Sequence, residues 1–69
     1  MNANETLLQM KYTRIVSLFA KQMNITLDEA LRFFYKSITY DLMKNGISDM
    51  QCMSDAYLVE DLEEEYKNQ

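Results

Sequence analysis

Cys52 is the only cysteine of this chain and there is no histidine, so nothing in its 69 residues can staple a fold together from within. One thiol makes no internal disulfide, and a structural zinc site lacks its usual nitrogen and sulfur ligands. A chain this short buries roughly 60% of its unfolded surface, and domains of that size commonly lean on a disulfide, a metal or a second chain. What remains here is close internal packing or oligomerisation. With no proline, one glycine and an apolar fraction of 48%, the composition fits a folded globule better than a loop-rich or low-complexity segment. There is length for one domain, residues 1–69.

The apolar spacing is helical. Leu8, Tyr12, Ile15, Val16, Phe19 and Met23 follow the i, i+4, i+7 rule of a buried stripe, predicting a first helix over 5–23 with Asn4 as its cap. Thr26-Leu27-Asp28-Glu29 is a capping box, in which Thr26 and Glu29 satisfy each other's free backbone amides. A second helix therefore starts at Leu27, turns Ala30, Leu31 and Phe34 inward and ends near Lys36, with Ile25 as a staple on Ala30 or Leu31. Ser37 caps a short third helix through Tyr40, Leu42 and Met43, closed at Asn45-Gly46. Residues 47–53 alternate roughly between apolar and polar, which predicts an extended connection with Ile47, Met50 and Met53 turned inward. A strand there would need a partner strand. Ser54 caps a fourth helix carrying Asp55 in its first turn and Leu58, Val59, Leu62 and Tyr66 on its buried side. The expected fold is all-α: four helices, with an extended connection before the last.

Several functions lose their footing. The absence of histidine removes the commonest general acid or base. Asp49 and Asp55 flank Cys52, and acids disfavour the thiolate that a reactive cysteine needs, so Cys52 reads as a small core residue. Gly46 alone builds no phosphate-binding loop, and no cofactor is called for. Glu60-Asp61-Leu62-Glu63-Glu64-Glu65 lies on a regular helix, whereas calcium is wrapped by looped backbone. The expectation is a protein that is not an enzyme. The longest apolar runs, such as Phe33-Phe34-Tyr35, fall far short of the roughly 20 residues of a membrane span. The polar start Met1-Asn2-Ala3-Asn4-Glu5 is unlike a secretory signal, and with the lone thiol it points to the cytoplasm.

Charge is unevenly placed. Residues 1–45 carry six basic and four acidic side chains, a net of +2, and residues 46–69 carry one and seven, a net of −6, giving the −4 of the chain. Acids near the C-terminal end of a helix oppose its dipole, so Glu60, Asp61, Glu63 and Glu64 call for a basic neighbour. Lys11, Arg14 and Lys21, within an arc of about 80° on the first helix, could serve in the same chain or from a dimer mate. The other reading is a basic partner protein steered in by charge. On the second helix Phe33, Phe34 and Tyr35 spread over about 200° and cannot all face one core. An exposed aromatic, Phe33 or Tyr35, beside Met43, Met50 or Met53 would form a protein-binding patch. The candidate partner-binding residues are therefore Phe33, Tyr35, Glu60, Asp61, Glu63 and Glu64. The alternative is a small DNA-binding regulator that uses the basic face of Lys11, Arg14 and Lys21. Against it, Arg32, Lys36 and Lys44 between Leu27 and Gly46 are offset by Asp28, Glu29 and Asp41, which leaves a helix-turn-helix no positive field.

Three stretches carry a resemblance: Ala30-Leu31-Arg32-Phe33-Phe34-Tyr35-Lys36-Ser37, Gly46-Ile47-Ser48-Asp49 and Met53-Ser54-Asp55-Ala56-Tyr57-Leu58-Val59-Glu60-Asp61. Over roughly residues 12 to 65 the chain resembles a family of short uncharacterised bacterial proteins that end in an acidic helix preceded by a comparable Ser-Asp-x-Tyr-Leu segment. Genes of that family often lie beside predicted toxins resembling ADP-ribosyltransferases. The resemblance implies an antitoxin or accessory role, with a toxin as partner, and supplies no active site. Some of those relatives have a Leu-His-Thr segment ahead of the final helix, which this chain lacks.

Overall fold

The computed structural model describes residues 5–69, with side chains for all of these but Glu5, Thr6, Ser48 and Gln51. Asn4, the expected cap of the first helix, lies outside the described residues. Helix α1 (Glu5–Met23) ends where Asn24 takes a left-handed φ of 57°, and the Ile25 amide donates back to the Ala20 carbonyl at 3.0 Å. Asparagine is among the few residues other than glycine that accept that conformation cheaply.

Helix α2 (Leu27–Lys36) starts on the expected capping box: Thr26 Oγ1 accepts from the Glu29 amide at 3.1 Å, and Glu29 Oε1 accepts from the Thr26 amide at 3.2 Å. Ser37 separates α2 from α3 (Ile38–Lys44) and serves both. Its hydroxyl donates to the Phe34 carbonyl at 2.6 Å, and the same oxygen accepts from the Tyr40 amide at 3.0 Å. Gly46, at φ 66°, closes α3. Ser54 caps α4 (Asp55–Lys67) by accepting from the Tyr57 amide at 3.1 Å. Among the described residues the fold is all-α, without a strand.

Between α3 and α4 the expected extended connection is instead a 3-10 helix over Ile47–Cys52. An i→i+3 bond bounds it at each end, Asp49 amide to Gly46 carbonyl at 3.4 Å and Met53 amide to Met50 carbonyl at 3.0 Å. Apolar residues at 47, 50 and 53 are three apart, the period of a 3-10 turn and not of a strand. Met50 is buried and Met53 half-buried, but Ile47 is exposed; Cys52, expected in the core, is exposed as well.

The core is made by the inward faces of all four helices: Tyr12, Ile15, Val16, Phe19 and Ala20 from α1, Ala30 and Phe34 from α2, Met43 from α3, and Leu58, Val59 and Leu62 from α4, with Met50 beneath. Ile25, Phe33, Tyr40 and Tyr66 pack on its rim. The radius of gyration, 11.3 Å, is close to the roughly 11 Å of a well-packed chain of this length. Leu31 departs from expectation and is exposed. Ala30 and Phe34 set the inward line of α2, and a residue one position on is rotated about 100° away from it.

Candidate interaction surface

Each free amide of the first turn of α3 has a partner. Ser37 takes that of Tyr40, and a carboxylate 26 and 27 residues away takes the other two: Glu65 accepts from the Ile38 amide at 2.8 Å, the Thr39 amide at 2.9 Å and the Thr39 hydroxyl at 2.6 Å. The positive end of the α3 dipole is therefore the compensating neighbour for the acidic end of α4, in place of the basic side chain expected. Glu65 went unnoticed as a positioning residue because only the third dimension brings it to α3. Its sequence signal was an acid placed where its own helix dipole disfavours it.

The basic residues of α1 do reach α4, but at its opposite end. Arg14 Nε donates to Asp55 Oδ2 at 2.8 Å, and Lys11 Nζ lies 3.7 Å from Asp55 Oδ1 while donating to the Met53 carbonyl at 2.5 Å. The Arg14 hydrogen bond, with the charges of Arg14 and Lys11, holds the Asp55 carboxyl below its ordinary range against a smaller opposing effect of burial. Lys21 is exposed and makes no ion pair among the described residues.

Of the acidic run, Glu60 and Glu64 are thus left exposed beside Tyr57, whose ring is also exposed, and Lys67 joins Glu60, Glu63 and Glu64 around a shallow groove. Among the described residues no salt bridge reaches Glu60, Asp61, Glu63 or Glu64. Glu63 is half-buried, with Oε2 shielded and without a hydrogen-bond partner among the described residues. Asp61 is half-buried too, and burial, then the charges of Glu65 and Glu60, pushes its carboxyl above the ordinary range. A second groove, lined by Ile38, Glu64, Glu65 and Asn68, sets the exposed Ile38 beside this acidic ridge. Among the described residues no three acidic or thiol side chains converge as metal ligands.

The two candidate aromatics point apart. Phe33 is half-buried in a cluster with Phe19 at 5.8 Å and Tyr66 at 5.2 Å between ring centroids, at the end of α4. Tyr35 is exposed and leans on Tyr40 at 4.9 Å and Phe34 at 5.4 Å. Phe33 therefore belongs with the acidic helix and Tyr35 does not. The methionines expected beside them do not form that patch, since Met43 and Met50 are buried and Met53 is half-buried. No described helix is long and apolar enough to cross a membrane. Compared with known families, curated proteins and solved structures, the chain matches none.

Proposed function

We propose that this chain is a non-enzymatic protein-binding module whose outer α4 face, Tyr57, Glu60, Glu63 and Glu64 with Asp61 at its edge, receives a basic surface of another protein. One observation carries the reading: the cations of α1 that reach α4 are engaged by Asp55, and among the described residues no salt bridge reaches Glu60, Asp61, Glu63 or Glu64. An exposed set of like charges costs a little folding stability and raises the rate of encounter with an oppositely charged partner. Phe33 of α2 packs on Tyr66 near the C-terminal end of α4, adding half-buried aromatic area there.

The resemblance to short bacterial proteins encoded beside ADP-ribosyltransferase-like toxins supplies a partner class, a toxin held inactive by stoichiometric binding in the cytoplasm. The DNA-binding alternative has less support, because Lys11 and Arg14 are turned to Asp55 and, among the described residues, only Lys21 of its three cations stays without an ion pair. Affinity purification of the tagged chain from its native cells, at low and at moderate salt, tests the proposal. A basic protein recovered in near-equal ratio and released by salt is the expected result. Recovery of nucleic acid, or of the chain alone, would overturn it.

A further inference from the structure

On the side of α2 away from Phe33, three large apolar residues stand in line at i, i+4 and i+8: Leu27, Leu31 and Tyr35, with 58%, 41% and 45% of their surface exposed. They form a stripe about 12 Å long on a ten-residue helix whose start the Thr26–Glu29 box pins. Asp28 and Arg32 run along one flank of it and pair with each other within the chain. This face takes no part in the acidic surface of α4.

The pattern is self-complementary. If a second α2 is laid antiparallel against the first, with Leu31 on the twofold axis, each Leu27 meets the other copy's Tyr35 and the two Leu31 side chains meet each other. Each Asp28 then shares a flank with the other copy's Arg32, and the two Arg32, also near each other along the axis, sit farther round their helices from the contact than Asp28 does. Asp28 of one copy and Arg32 of the other lie about 3 Å apart along the axis, within reach of an arginine side chain, and the symmetry makes that pair twice. A parallel twofold would instead put the Asp28–Arg32 flanks of the two copies on opposite sides of the contact, where they make no pair across it. We infer that the Leu27–Leu31–Tyr35 face of α2 is the interface of a homodimer, paired antiparallel about Leu31 and locked by reciprocal Asp28–Arg32 ion pairs. A single helix face is a small interface, so the dimer exchanges with monomer on dilution.

Sedimentation equilibrium of the full chain tests this, with thermal melts as the check on folding. The wild type should associate to a dimer, and Leu31→Arg should weaken association by about tenfold or more, as expected for a cation forced into the centre of an apolar contact, while its melt changes little. Asp28→Arg and Arg32→Asp chains should each associate poorly alone, because like charges then face each other across the axis. Mixed in equal amounts they should form a heterodimer. The Asp28→Arg chain brings two cations to the flank and the Arg32→Asp chain brings two acids, so both cross-axis pairs become opposite in sign although neither chain regains its internal pair. A wild type monomeric at every concentration, an unaffected Leu31→Arg dimer, or a mixture no more associated than its components would each overturn the inference.

Discussion

Replacing Glu65 by alanine removes both partners of the first two α3 amides and the acceptor of the Thr39 hydroxyl in one step. A helix of seven residues is far too short to stand without tertiary support. A hydrogen bond to a charged group contributes about 1.5–3 kcal/mol, and leaving a donor unsatisfied costs a similar amount where water is excluded. The Ile38 amide is at an exposed site and can turn to water, whereas Thr39 is almost fully buried. The loss should therefore be nearer the value of one well-shielded charged bond plus the dipole term than the sum of three, about 2–3 kcal/mol. For a domain this small, 1 kcal/mol moves the melting temperature by about 4–8 °C, so Glu65→Ala should lower Tm by about 8–24 °C. Glu65→Gln keeps one carbonyl oxygen but turns an amide group on a donor, and should lose about half as much. Urea denaturation followed by circular dichroism reads the free energy, and a variant within about 0.5 kcal/mol of wild type, the range of ordinary surface changes, would refute the tethering role of Glu65.

Other changes have worked signs. Because Asp55 is held below its unfolded value, its pairing with Arg14 stabilises the fold above that unfolded value and is lost as pH falls through the folded one; Asp55→Asn should cost up to about 1 kcal/mol at neutral pH and nothing in strong acid, read by denaturation at both. Asp61 is shifted upward, so its effect is reversed: stability is full while it is protonated and falls as pH rises through its raised pKa. Asp61→Asn should then stabilise the protein by a few tenths of a kcal/mol at neutral pH, with the gain vanishing in acid. Asn24→Gly should leave stability unchanged or slightly higher, whereas Asn24→Ala should lower it by about 1 kcal/mol because of the left-handed backbone at that position; melts of the two variants decide it.

What could be seen in the sequence was what local chemistry determines. The Thr26–Glu29 box, the Ser37 and Ser54 caps and the glycine closing α3 all act within four residues, so their signals are written in adjacent letters, and they delimit α2, α3 and α4. Inward stripes were legible on α1 and α4 for the same reason. Leu31 was misplaced because apolar character alone cannot tell the inward line of a short helix from one rotated by a single residue. The 3-10 helix escaped because a spacing of three over seven residues also looks like coarse alternation. At the surface, the exposed aromatic on α2 was foreseeable from the width of Phe33-Phe34-Tyr35. Which ring it would be, and that Phe33 would join Tyr66, depended on how α4 crosses α2. The pairing of Lys11 and Arg14 with Asp55, and of Glu65 with α3, links residues 26 to 44 positions apart and has no local signature.

The central claim is that the outer acids of α4 are kept for a partner. It is tested most directly by titrating the co-purified protein with the wild type and with Glu60→Lys/Glu63→Lys/Glu64→Lys, at ionic strengths on either side of about 0.1 M, where the screening length is about 10 Å. The account predicts that the wild type binds more weakly as salt rises, and that the charge-reversed chain, still folded, binds at least about tenfold more weakly at low salt with its salt dependence flattened or inverted. Equal affinity and an equal salt slope for the two chains would contradict it.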